Sequence, residues 1–170
     1  MPLRDLLLPE FDAEIACTRR TLERLPEDKL EYKPHDKSSS LVKLANHVAA
    51  LPGFLTLILT VDEFDVSKPN AARPAPPASN AERLTQFDAA AAAGRVLLAK
   101  TADRAMHENW KLSSGEFVIF TGSRYHGLRT FFLNHLIHHR AQLGVYLRLN
   151  DCPVPSTYGP SADEMSAPAA

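Results

Sequence analysis

The sequence predicts an all-α protein, specifically a four-helix bundle with a long crossover between helices 2 and 3. Three observations lead to this fold class. Four segments carry apolar residues at alternating steps of three and four, which places those residues on one face of a helix. A proline-rich stretch separates the second segment from the third. A short stretch of alternating residues before the fourth segment predicts a small hairpin or irregular arm.

The first two helices are predicted from their apolar stripes and their ends. Pro9 falls in the first turn of helix 1, and Pro26 ends it. Residues 38–40, three serines, can cap helix 2, and Pro52 followed by Gly53 predicts a kink or a break inside it. The first stripe is Leu8, Phe11, Ile15, Thr18, Leu22 and Leu25, and the second is Leu41, Leu44, Val48, Leu51, Leu55 and Ile58.

The connection from residue 67 to residue 79 contains four prolines and is long for a join between antiparallel neighbours. We therefore expect a crossover between two helices that start at the same end of the bundle. Ser79 and Glu82 fit a capping box at the start of helix 3. The apolar positions of that helix are Leu84, Phe87, Ala91, Gly94 and Leu98.

The fourth helix follows a segment with a different period. From Asn109 to Phe120 the apolar residues alternate around a Ser-Ser-Gly turn, which predicts the hairpin or irregular arm. Aromatic residues of this arm, Trp110, Phe117 and Phe120, are expected either to wall a pocket or to pack in the core. Helix 4 is predicted from Tyr125 to about Asn150.

The composition fits one globular domain. The chain has 170 residues, of which 45% are hydrophobic, so a sizeable core can form. We expect a single domain over residues 1–164 and a disordered tail over residues 165–170. The formal net charge of −1 argues against binding nucleic acid through bulk charge.

The sequence predicts neither a secretory signal nor a membrane-spanning segment. The longest strongly apolar run, residues 51–61, is shorter than the roughly 20 residues that span a bilayer. The N-terminal residues lack the pattern of a secretory signal. Cys17 and Cys152 are far apart and are expected as reduced thiols. We therefore expect a cytoplasmic protein with no membrane partner.

Histidines of helix 4 carry the first candidate chemistry. His135 and His139 are four residues apart, so their imidazoles share a helix face and suit chelation of one metal ion. Gln142 and Tyr146 fall near the same line, whereas His138 lies to the side. The alternative for the pair is a solvated or interface face of the helix.

His47 lies within the apolar stripe of helix 2 and is expected to face the bundle interior. A buried imidazole needs a partner, and a metal shared with His135 and His139 would provide one. The alternative is a core histidine that bonds a neighbour or a water. His35, His107 and His126 have no metal-type spacing and are expected on the surface or in loops.

Three histidines would leave coordination positions open, as in catalytic rather than structural zinc sites. A metal held in this way can lower the pKa of a bound water or thiol and act as a Lewis acid. Imidazoles suit zinc, nickel, copper and iron. We expect zinc or nickel, with iron as a further candidate.

Three stretches together resemble the DinB-like family, which includes the YfiT-like metal-dependent hydrolases. They are residues 44–47 with the sequence Leu-Ala-Asn-His, residues 135–143 with the pattern His-x-x-x-His-Arg-x-Gln, and the tail from Pro153 to Glu164. The likeness extends over most of the chain, from the first helix to about Glu164.

The resemblance implies a four-helix bundle with a crossover between helices 2 and 3. It also implies a divalent metal held by His47, His135 and His139, and a homodimer packed through bundle helices. Activities in related branches include isomerisation and thiol-dependent transfer with bacillithiol or mycothiol as co-substrate. The implied partner of this chain is therefore a small molecule.

Three further residues are candidates for supporting roles in the site or for lining a substrate pocket. Gln142 would hold a ligating histidine, contact substrate or bond the backbone. Arg140 is expected to pair with a carboxylate on a neighbouring helix or in the tail, where Asp163 and Glu164 are candidates. Tyr146 shares the helix face of His135.

Three functions compete at this point. The first is a metal-dependent enzyme that activates a small thiol or water against a small electrophile, for hydrolysis or thiol transfer. No cysteine looks catalytic, so the thiol would be a low-molecular-weight co-substrate, and no spacing selects a general base among Glu10, Glu14 and Asp62. The second is a non-catalytic bundle that binds a metal or small ligand. The third is a structural dimer with a vestigial site.

Overall fold

The computed structural model describes residues 1–69 and 75–165. In that part of the chain the helices are α1 Leu3–Glu23, α2 Leu41–Thr60, α3 Asn80–Lys100, α4 Asp103–His107, α5 Arg124–Gly127 and α6 Asn134–Arg148. A π-helical segment, Leu128–Leu133, joins α5 to α6, so that residues 124–148 form one long helical stretch. A 3₁₀ turn, Glu27–Lys29, follows α1.

Four long helical stretches pack as a bundle in which α2 and α3 run in the same direction. Arg83 donates from Nε to Asn46 Oδ1 at 2.8 Å near the start of both helices. Further along, a Cβ on Gly94 would lie 3.3 Å from Leu55 Cδ2. Because both pairs advance together along the two helices, α2 and α3 start at the same end of the bundle, as the crossover prediction requires.

Helix α6 runs antiparallel to α2. Tyr146, near the end of α6, donates to the Ser39 carbonyl just before α2 at 3.0 Å. His135, near the start of α6, meets His47 one to two turns into α2. This direction brings the first half of α2 against the whole of α6.

The core forms from the predicted apolar stripes, except that the buried face of α1 begins one residue earlier than predicted. All six stripe positions of α2 are buried, and the helix continues through Pro52 without the break that the sequence suggested. On α1, Phe11, Thr18 and Leu22 are buried, but Leu7 rather than Leu8 begins the buried face. Ile15 is only partly buried.

The all-α prediction is wrong, because the structure also contains a three-stranded mixed sheet. Strand β2, Asn109–Ser114, pairs antiparallel with β3, Phe117–Ser123, as the predicted hairpin. Strand β1, Glu63–Asp65, lies in the crossover and pairs in parallel with β2. Its three residues are too few to show a period, and they are a strand only through hydrogen bonds to a segment more than forty residues away.

The sheet covers the bundle where residues 124–148 begin. Trp110 of β2 is fully buried, and its ring lies about 6 Å from the rings of Phe54, Phe120 and Phe131. A Cβ on Gly127 would come within 2.9 Å of the Trp110 ring, so glycine is required for this contact. Trp110 and Phe120 therefore serve packing, whereas Phe117 is 71% exposed and fits neither of the two expectations.

Helix α2 is long and apolar enough to cross a membrane by length and composition, with a mean hydropathy of 1.5 over 20 residues. Half of that stretch is buried inside the fold, and the core helices of soluble proteins meet the same criterion. This stretch is longer than the apolar run of residues 51–61 because it also includes residues 41–50, among which Lys43, Asn46 and His47 are polar.

The segment after α6 returns across the bundle. Arg24 of α1 pairs with Glu164 at 3.0 Å, and Arg148 pairs with Asp163. The predicted disordered tail, residues 165–170, lies outside the described residues apart from Met165. The structure therefore gives no outcome for that prediction.

Candidate metal centre

Three histidines meet between α2 and α6. His135 and His139 lie one turn apart on α6, with ring centroids separated by 4.5 Å. The His47 ring lies 4.5 Å from the His139 ring and 5.0 Å from the His135 ring. One nitrogen from each ring lies within 4.8 Å of the others. The antiparallel packing of the two helices thus brings together the three residues that the sequence singled out.

The spacing of the nitrogens fits a shared ion. His47 Nε2 and His135 Nε2 are 3.2 Å apart. Two imidazoles that bind one zinc ion tetrahedrally at about 2.0–2.1 Å have nitrogens roughly 3.3 Å apart. The same separation also suits an N–H···N hydrogen bond, so the pair is compatible with the metal-bound and the metal-free state.

Hydrogen bonds orient both histidines of α6. His139 Nδ1 lies 2.7 Å from Gln142 Oε1, and because that oxygen only accepts, Nδ1 carries the proton. His139 therefore presents the lone pair of Nε2. The His135 ring bonds the Phe131 backbone four residues earlier, while its Nε2 faces His47. Such bonds from outside the cluster hold an imidazole in one tautomer and one orientation.

The π-helical segment ends directly before this cluster. One wider turn at residues 128–133 rotates α6 relative to the helical stretch that precedes it. The rotation sets the face on which His135 and His139 emerge. The stripe prediction assumed a regular helix, so it carried no signal for this irregularity.

Burial keeps the histidines of α6 neutral. Burial lowers the pKa of His135, and the neighbouring imidazole of His139 lowers it further. Burial also lowers the pKa of His139, although the hydrogen bond to Gln142 acts in the opposite direction. Neutral imidazole is the form that binds metal ions, so the local environment favours the ligating state.

A cavity of about 460 Å³ opens beside the cluster. This volume is within the roughly 300–1,000 Å³ typical of small-ligand sites. The cavity lies between the first half of α2 and α6, and two of the serines before α2 also line it. Its lining residues are Ser38, Ser39, Lys43, Leu44, His47, His139, Gln142, Val145 and Tyr146.

The supporting candidates separate into two groups. Gln142 and Tyr146 line the cavity, and Tyr146 also ties the segment before α2 to α6 through Ser39. Arg140 faces α1 instead, where its Nη1 lies 2.6 Å from Glu14 Oε2 and its Nη2 donates to Tyr158 at 2.8 Å. Its carboxylate partner is on a neighbouring helix rather than at either tail position considered.

The three carboxylates considered as a general base are all engaged elsewhere. Glu10 pairs with Arg129, and Glu14 pairs with Arg140. Asp62 pairs with Arg124, whose guanidinium also donates to the carbonyls of Ile58 and Val61. Among the described residues that line the cavity, none is acidic.

Sequence reasoning did not find the cavity wall contributed by Lys43, Ser38 and Ser39. The serines were assigned to capping α2, yet the N-cap residue Ser40 makes no side-chain cap bond. Lys43 precedes His47 by four residues and so shares its helix face. That spacing was the available signal, but only the packing of α6 against α2 makes it a shared cavity.

The helical bundle, the cluster of three histidines and the adjoining cavity together place this chain among bundle proteins with a candidate metal site. The model of the DinB family matches residues 3–169, so the chain belongs to the DinB family. No protein of curated function matches it significantly.

Two solved structures share the fold. A DinB-like protein from Bacillus cereus ATCC 10987 is 21% identical, with a TM-score of 0.68, and the match covers 92% of this chain and 98% of that one. A DinB-like protein from Bacillus subtilis is 16% identical, with a TM-score of 0.63, and the match covers 86% and 92%. At these identities the likeness establishes the fold alone.

Proposed function

We propose that this DinB-family protein binds a divalent metal ion at His47, His135 and His139 and activates a small thiol or water for reaction with a small electrophilic molecule. The observation that carries the proposal is the convergence of three imidazole nitrogens within 4.8 Å beside a cavity of about 460 Å³. A divalent ion held by three histidines supplies Lewis acidity and lowers the pKa of a bound thiol or water.

The donor set is suited to zinc or nickel, and iron is also compatible with imidazole ligands. The protein contributes fixed orientation, because Gln142 and the Phe131 backbone each hold one imidazole. It also contributes partial burial, which lowers the pKa of His135 and His139 and so favours their neutral form. Both features favour a site that exists before the metal arrives.

A thiol is the better supported nucleophile of the two. Hydrolysis usually employs a general base near the activated water. The described lining of the cavity offers no carboxylate, and the candidate bases are held in ion pairs away from it. A thiol needs no base once its pKa is lowered, since the thiolate is itself the nucleophile. Cys17 and Cys152 do not line the cavity, so the thiol would be a small co-substrate.

A non-catalytic bundle that binds a metal or small ligand is the alternative. The absence of an acidic residue from the described cavity lining favours it, because binding requires no proton acceptor. Turnover separates the two functions. The predicted homodimer and cytoplasmic location remain predictions.

The test begins with metal content. Purified wild type should hold about one zinc, nickel or iron per chain by elemental analysis, and His139→Ala should hold markedly less. His138→Ala is the matched control. His138 directly precedes His139 in the chain and is exposed, and its ring only flanks the His139 ring. Equal metal in wild type and His139→Ala would contradict the site.

The second stage screens small thiols with electrophiles on the metal-loaded protein. Thiol-dependent consumption of an electrophile that disappears with the metal supports the enzyme. Full metal loading without turnover across the panel supports the binding protein instead.

A further inference from the structure

We infer that the cavity beside the histidines selects a small molecule with an anionic group, held by Lys43 at some distance from the reacting end. This inference rests on the proposed function, because the histidine cluster defines the reacting end. It adds the charge of the ligand and the residue that recognises it.

The charges around the cavity favour an anion. Lys43 is the one charged side chain among the nine described lining residues, and the rest are histidine, apolar or neutral polar. No carboxylate of a described residue lies within salt-bridge distance of Lys43, whereas several exposed lysines and arginines of the chain have such partners. A divalent ion at the histidines would add to the positive potential. A site with one sign of charge concentrates ligands of the opposite sign.

The geometry separates the two ends of the ligand. Lys43 and His47 lie four residues apart on one face of α2, which is a rise of about 6 Å along the helix. On the opposite wall of the cavity, His139, Gln142 and Tyr146 of α6 also lead from the histidines toward the start of α2, because the two helices are antiparallel. A ligand with its reacting atom at the histidines would therefore place its anionic group roughly 6 Å away, beside Lys43.

The main chain of α2 offers little to this anion at its first two positions. The amides of Leu41 and Val42 already donate to the carbonyls of Tyr32 and Leu30 at 2.9 and 2.8 Å. The Lys43 ammonium is the charged donor that lines the cavity, and Ser38 and Ser39 line it as well. Lys43 lines the cavity and is also exposed to solvent, so it can meet a ligand that enters from solvent.

The probes are 4-mercaptobutyrate and its uncharged analogue 4-mercaptobutyramide, which place the thiol and the second group at about this separation. Cobalt-loaded protein reports thiolate binding through its absorption spectrum, and the affinity ratio of the two probes measures preference for the anion. We expect Lys43→Gln to lower this ratio about three- to fivefold, the effect of one partly exposed ion pair. High salt should reduce the wild-type ratio in the same direction.

Lys100→Gln is the matched control, since it removes the same charge from the last turn of α3, at the other end of the bundle. It should leave the ratio unchanged. A ratio that is the same in wild type and Lys43→Gln, with cobalt bound in both, overturns the role of Lys43 and leaves the metal site intact. Failure of wild type to bind cobalt overturns the proposed function itself.

Discussion

Two polar clusters emerge from neighbouring positions of α6 and differ in how their charges are compensated. Toward α1, the side chains of Arg140 and Glu14 are 3% and 6% exposed and form an ion pair. Tyr158 accepts from Arg140 and donates to Glu14 Oε1 at 2.7 Å. Toward α2, the three histidines are only partly buried, and two of them, His47 and His139, line a cavity. Adjacent residues, His139 and Arg140, thus belong to different kinds of site.

The comparison separates structural polarity from functional polarity. The Arg140 cluster is closed, with each charge matched by a partner inside the protein, so no ligand is needed for its stability. In the histidine cluster, burial lowers the pKa of His135 and His139, and hydrogen bonds hold both imidazoles in orientation beside space for another molecule. A family signature that contains both His139 and Arg140 therefore combines a candidate ligand with an anchor of the fold.

The largest expected effect breaks the closed cluster. Glu14→Ala leaves the buried Arg140 without its carboxylate and should lower the free energy of unfolding by about 3–5 kcal/mol. Urea denaturation followed by circular dichroism measures the loss. Asp12→Ala, on the same helix as Glu14, removes an exposed partner of Arg95 and should cost far less, because a solvated ion pair contributes little to stability. Equal costs for the two variants would refute the contrast.

The next effect sharpens the open cluster. Gln142→Ala removes the acceptor of the His139 Nδ1 proton and should weaken metal binding about 10- to 100-fold, with little change in unfolding. Competition with a chelator of known affinity measures the change. Gln142→Glu keeps an acceptor at that position and should stay close to wild type. Undiminished affinity in Gln142→Ala would show that Gln142 does not orient the ligand.

The smallest expected effect concerns the pKa of a surface carboxylate, Asp65, that accepts several hydrogen bonds. Asp65 Oδ1 accepts from Gly115 N, Ser67 N and Ser67 Oγ, and these bonds lower the pKa of Asp65 to about 2. Since the folded pKa lies below the unfolded value, the stabilisation is present above roughly pH 4 and is lost as the pH falls toward 2. An NMR titration of the Asp65 carboxyl should therefore have its midpoint near 2. A midpoint near 4 would mean that these hydrogen bonds do not form in solution.

The helices could be predicted from the sequence because the buried face of a helix appears as apolar residues three and four positions apart. The stripe of α2 is buried at every predicted position, and the Ser79 hydroxyl accepts from Glu82 N as the capping pattern indicates. Strand β1 has no comparable sequence pattern, because its three residues become a strand only by pairing with residues 111–113. The all-α class was wrong because β1 joins the hairpin, which the sequence predicted only as a small arm, in a three-stranded sheet.

The candidate site shows the same division. The convergence of His135 and His139 follows from helical spacing, and His47 was singled out as a polar residue within an apolar stripe. The partner of Arg140 and the exposure of Lys43 to the cavity depend on how three helices pack. No local pattern encodes those contacts, so they required the structure.

X-ray absorption at the zinc edge of the zinc-loaded protein tests the central claim most directly, because it reports the atoms around the ion. The account predicts histidine nitrogens as the protein ligands, three in number, at about 2.0–2.1 Å, with the imidazole signal reduced in His139→Ala. A sulfur ligand at about 2.3 Å, or an imidazole signal that His139→Ala leaves unchanged, would contradict it.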